Sequence, residues 1–149
     1  MNYKLKIIIA IFFIATIMVA VSAYMYYAAD KGYIKNLNVR WDIALSGNYK
    51  LQFYEIEDEN IFGDGYRYAI LVSDKHINGV CDLNLLNCGM EQVEEVPELE
   101  EVLKVLKIPK DQFPQNTKTT YLKKRDSLNY IYIMTDEKGE KIYIIESFI

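Results

Sequence analysis

The chain is short of the residues on which most catalytic and metal chemistry depends. Its 149 residues include one histidine, two cysteines, one tryptophan and three prolines. A zinc centre takes three or four ligands at short, regular spacings. His76 with Cys81 and Cys88, the cysteines spaced C-x6-C, matches no such pattern, so no metal is expected. A Ser-His-Asp or Cys-His centre would have to use His76 as its base, and no nucleophile elbow accompanies it. Neither a P-loop nor a dinucleotide fingerprint is present, and no cofactor is expected. Basic runs are also missing. The nearest, Lys123-Lys124-Arg125, is followed at once by Asp126. Beyond residue 29, 15 Lys and Arg stand against 21 Asp and Glu, a net charge of −6. Nucleic-acid binding needs clustered cations to replace phosphate counterions, so that class is excluded.

What the chain does have is a long run without charge. Residues 7–29 are 23 consecutive uncharged, mostly apolar residues, with Lys4 and Lys6 before them and Asp30 and Lys31 after. As a helix rising 1.5 Å per residue the run would span roughly 34 Å, against ~30 Å of bilayer hydrocarbon. Tyr24, Tyr26 and Tyr27 gather at its far end, where an apolar ring with a polar hydroxyl suits the headgroup zone. The reading is a signal-anchor over residues 1–29, single-pass in the cell membrane, with the rest of the chain outside the cytoplasm. The alternative is a signal peptide cleaved near Ala23, after the small residues of Val21-Ser22-Ala23, and a secreted product. No cysteine lies near the leader, so lipid attachment to an N-terminal cysteine is excluded. Residues 30–36 read as a linker, and residues 37–149 as one domain of ordinary size.

Within that domain, Leu37, Val39, Trp41 and Ile43 alternate with polar residues, a strand pattern with a short helix as the alternative. Residues 49–57 read as a strand with Leu51 and Phe53 on one face. Residues 66–72 read as a second strand, whose continuous apolar end points to an interior place in a sheet. Residues 73–89 read mostly as loop. Pro97 opens a helix in which Leu99, Val102, Leu103 and Leu106 form one apolar stripe. Glu100 and Lys104 are spaced to pair across one turn, and Pro109 follows the helix end. Residues 119–123, 129–135 and 141–148 read as strands, the last two joined by a hairpin turn at Gly139. The expected fold class is therefore α+β: a transmembrane helix, then a largely antiparallel sheet with one main amphipathic helix.

Two local features merit a structural test. Outside the cytoplasm Cys81 and Cys88 could form a disulfide; two buried thiols are the alternative. The acidic loop from Asp58 fails as a calcium loop, because Phe62 and Ala69 stand where oxygen ligands belong. What remains of it is Phe62-Gly63-Asp64-Gly65, a tight turn just before a strand. That turn, with the following Tyr-Arg-Tyr-Ala-Ile-Leu-Val-Ser-Asp and the C-terminal hairpin over residues 130–148, resembles a group of small exported or membrane-anchored proteins of Gram-positive bacteria. Those carry a Phe-His-Gly-Asp-Gly turn; the histidine is missing here, since Phe62 is followed directly by Gly63. The resemblance implies location and fold, and no activity. The functional expectation is a non-enzymatic, membrane-anchored domain that binds an envelope protein or component. The alternatives are a small envelope hydrolase using Asp64 with another carboxylate, and an immunity-type protein whose acidity suits a basic toxin.

Overall fold

In the computed structural model, residues 3–45, 48–57, 65–73 and 85–148 are described. The first element is a helix, α1, from Tyr3 to Trp41. Its 39 residues amount to about 58 Å of helix. The uncharged run lies wholly within it. Among the described residues no helix is long and apolar enough to cross a membrane. Phe12 is 75% exposed, Phe13 67% and Val19 70%, and the apolar residues occupy every side of the helix.

The last turns of α1 behave differently. Residues 30–36 continue the helix rather than forming a linker. Ile34, Leu37 and Trp41 are buried at i, i+3 and i+7, one helical stripe. The period-two pattern over residues 37–43 is thus a helix end followed by two core residues, Ile43 and Leu45. Trp41 and Leu37 satisfy both periods at once, and the stripe extending back to Ile34 decides for the helix. Asp42 takes φ 50°, and the Ile43 amide bonds the Asn38 carbonyl at 3.1 Å. This is the left-handed cap that stops the helix. The Asn38 side chain then clips the exit, accepting from the Leu45 amide at 2.9 Å and donating to its carbonyl at 3.0 Å.

Six antiparallel strands follow: β1 (Tyr49–Ile56), β2 (Gly65–Ser73), β3 (Glu91–Val93), β4 (Thr117–Lys124), β5 (Tyr130–Asp136) and β6 (Lys141–Phe148). Their order across the sheet is β1-β2-β6-β5-β4-β3. The short edge strand β3 has no apolar pattern; its pairing with β4 holds it. Strand β2 lies between β1 and β6, and its continuous apolar run fits burial on both faces. The β5–β6 hairpin turns at Gly139 with φ 69°. In β1 the register shifts between Leu51 and Phe53. A bulge adds one residue and so reverses the side-chain alternation. Leu51 therefore packs on one face of the sheet and Phe53 on the other, contrary to their expected common face.

The two faces carry two cores. On one, the end of α1 covers Ala69, Leu71, Tyr121, Ile131, Ile133, Ile142 and Ile144. On the other, the second helix α2 (Leu99–Val105) covers Tyr68, Ile70, Leu122, Tyr132, Met134, Tyr143 and Ile145. The apolar stripe of α2 is buried as its periodicity requires, at Val102, Leu103 and Leu106. Glu100 and Lys104 make no ion pair. The helix ends before Pro109: Lys107 takes φ 53°, its amide bonds the Lys104 carbonyl, and the Ile108 amide bonds the Leu103 carbonyl at 2.9 Å. That pair of bonds is a Schellman cap, with Leu103 and Ile108 as its apolar contact.

Candidate functional site: a buried carboxylate under α1 and a groove beside α2

Strand β6 alternates apolar residues between the two faces, and Glu146 falls at a position directed toward α1. It is 0% exposed. Removing a carboxylate from water costs several kcal/mol unless cations and donors replace the lost hydration. Both replacements come from α1. Arg40 Nη1 and Trp41 Nε1 donate to Glu146 Oε1, at 2.8 and 2.6 Å. Arg40 keeps 31% of its side chain in solvent, so its own desolvation is partial. Oε2 has no hydrogen-bond partner among the described residues.

Aromatic and cationic groups surround the carboxylate. Arg67 is its cross-strand neighbour on β2. The Arg67 guanidinium lies 4.2 Å from the centre of the Phe148 ring, and that of Arg40 lies 5.2 Å from it. Phe148 meets Trp41 at 6.1 Å between ring centres. From the β4–β5 connection, Arg125 stacks over Trp41 at 5.3 Å and donates to the Arg40 carbonyl. Lys123 completes the fastening by donating to the carbonyls of Asp42 and Cys88 at 2.9 and 2.6 Å. About two turns before Trp41 on α1, Tyr33 meets Tyr54 of β1 edge to face, at 5.4 Å. Burial pushes the Tyr33 phenol well above its ordinary value, and the charge of Glu146 adds to that. No substrate reaches a carboxylate with zero exposure, so this cluster acts as a joint: it fixes α1 to the sheet at β6, β2 and β4.

The second feature is open. A groove of about 620 Å³ runs along α2 and the chain after it. Leu99, Leu103, Ile108 and Phe113 form its floor. Lys104, Lys107 and Lys110 stand along it, with Glu100 as its one carboxylate. The Tyr68 hydroxyl donates to the Gln112 carbonyl at 2.7 Å and so pins the 3-10 turn Lys110–Gln112 at the end of the groove. A neighbouring groove of about 500 Å³, which shares Leu99 and Glu100 with the first, is lined also by Glu94 and Glu95.

No family model, curated protein or solved structure matches the chain.

Of the residues singled out in the sequence, Phe62, Gly63, Asp64, His76 and Cys81 lie outside the described residues. Gly65 opens β2 at φ 146°, where a Cβ would stand 3.0 Å from Glu57 Oε2. The same Glu57 oxygen accepts from the Tyr66 amide at 3.1 Å, closing the β1–β2 hairpin. Cys88 sits half-buried at the end of the 3-10 turn Leu86–Cys88 and packs against the α1-side core. Among the described residues no group of three or more His, Cys, Asp or Glu is placed to hold a metal ion. Sequence reasoning missed Glu146, Arg40 and Arg67. One signal was available: Glu146 is the one acidic residue in its strand and follows four aliphatic or aromatic residues, Ile142 to Ile145, that alternate between the two faces.

Proposed function

We propose that this protein is a single-pass, membrane-anchored domain outside the cytoplasm that binds a protein or other component of the envelope and carries no catalytic centre. The observation that carries the reading is the double character of α1. One continuous helix exposes apolar side chains on all sides over residues 11–22 and buries Ile34, Leu37 and Trp41 in the core. Large apolar side chains exposed all around a helix are at home in lipid, not water. The joint at Glu146 then makes the anchor part of the domain rather than a leash. Continuity of the helix through Ala23 also opposes cleavage there, because peptidases take their substrates in extended form. The binding half of the reading draws on the open groove beside α2, of a size usual for ligand sites.

The test is protease shaving of intact cells that express a C-terminally tagged chain, with carbonate-washed membranes run in parallel. The tag should remain in the washed membranes at full length and be digested from outside. A tag released by carbonate, or shortened to a product beginning after Ala23, removes the anchor. A membrane-bound tag that resists shaving reverses the orientation.

A further inference from the structure

We propose that the groove beside α2 binds a single-chain anionic amphiphile: one acyl chain ending in a carboxylate or phosphate. The chain would lie along Leu99, Leu103, Ile108 and Phe113, with the head among Lys104, Lys107 and Lys110. The inference deepens the binding half of the function proposed above and does not depend on the anchor.

Three observations carry it. The first is charge. The region beyond residue 29 is acidic overall, yet three ammonium groups gather on this groove, and none has an ion-pair partner among the described residues. The neighbouring groove, lined by Glu94, Glu95 and the shared Glu100, holds no lysine, so the cations are gathered on this one. The second is Lys107. It occupies the left-handed position of a helix cap, at φ 53°, where glycine is the least strained residue. A lysine there costs the fold stability and supplies the groove with a charge. The third is the floor. It offers carbon surface, and the polar side chains on the groove are the lysines and Glu100. A bound peptide would need partners for its own amides and carbonyls, whereas an acyl chain needs none.

The occupant is a monomer taken into the groove, not a bilayer surface. A net charge of −6 opposes flat docking on anionic lipid. Each additional buried methylene should tighten binding about fourfold until the groove is filled. Each lysine removed should weaken it about threefold, the scale of an exposed charge contact.

The experiment is photolabelling of the full-length chain in phosphatidylcholine nanodiscs with a dodecyl phosphate that bears a diazirine on its chain. Cross-linked peptides are mapped by mass spectrometry. Labels are expected within residues 99–114. Unlabelled dodecyl phosphate and laurate should compete, and dodecyltrimethylammonium and inorganic phosphate should not. Lys107→Gly should raise the melting temperature while weakening this labelling, and adding Lys104→Gln and Lys110→Gln should abolish it. Labels confined to the 7–29 run, equal competition by the cationic amphiphile, or labelling indifferent to the lysines would each overturn the proposal. Equal competition by an acidic peptide without an acyl chain would overturn it in favour of a protein partner. Because the readout is local to residues 99–114, a failed anchor and an empty groove give separate results.

Discussion

The face of the sheet under α1 and the face under α2 bury similar aliphatic and aromatic side chains, yet they are closed differently. Under α1 a fully buried carboxylate takes a cation and an indole N–H from the covering helix. Under α2 the contacts are mostly apolar, with Tyr68 reaching out to the Gln112 carbonyl and Glu98, at the start of the helix, set against Tyr130 and Tyr132. An apolar interface tolerates small rotations, because many packings have similar energy. A buried ion pair does not, since moving either partner leaves a charge unsolvated. The face covered by α1 is therefore held in one orientation, and the opposite face is left able to shape a groove.

The sharpest way to break this contrast is at Arg40. Arg40→Ala leaves Glu146 buried with only the indole donor and should cost about 3 kcal/mol, the low end for a broken buried pair because Arg40 is partly solvated. Thermal unfolding of the full chain in detergent measures it, and a loss below about 1 kcal/mol would mean that the joint contributes little. Next are matched truncations in the two cores. Leu37→Ala should cost about 3–4 kcal/mol and Leu103→Ala about 2–3, since the open groove beside Leu103 lets the site relax. Equal losses would show that the two faces are packed alike. Gly65→Ala places a methyl against Glu57 at a glycine-only φ and should cost about 2 kcal/mol, read as a lowered melting temperature.

How far these features could be read from sequence follows the range of the forces behind them. The α2 stripe, the strands β2, β4, β5 and β6 and the Gly139 turn are set by neighbours a few residues away, and their patterns are plain. Strand β3 lacks a pattern because β4 imposes it. The bulge that sends Leu51 and Phe53 to opposite faces adds one residue and leaves no compositional mark. The end of α1 was ambiguous because Leu37 and Trp41 fit both periods. Glu146 and Arg40 are 106 positions apart, and only the crossing of α1 over the sheet joins them. Neither part of the site followed from a motif: the groove lysines belong to three successive turns of chain, and the joint is assembled from four elements.

Two smaller effects complete the comparison. Lys107→Gly relieves the left-handed cap on the α2 side and should stabilise the fold by about 1 kcal/mol, visible as a raised denaturation midpoint. Asp126, on neither face, is a control. Its carboxylate accepts from the Asn129 and Leu128 amides at 2.7 and 2.9 Å, which hold it below the usual carboxylate range. A depressed folded value stabilises above the ordinary pKa of about 3.9, and that stability is lost as pH falls through the lowered one. The gap in melting temperature between the parent chain and Asp126→Asn should thus be constant above pH ~5 and shrink below pH ~4. A gap independent of pH would remove the carboxylate from the account.

The central claim is that α1 is at once the leader and a structural member of the domain. Native-state hydrogen exchange of the full chain in nanodiscs tests it most directly. If the claim holds, amides of residues 34–41 exchange as slowly as those of β5 and β6, opening only when the sheet does, and Arg40→Ala accelerates both together. If residues 34–41 exchange orders of magnitude faster than β6, the helix end is a tether lying on the sheet, and the joint at Glu146 does not hold it.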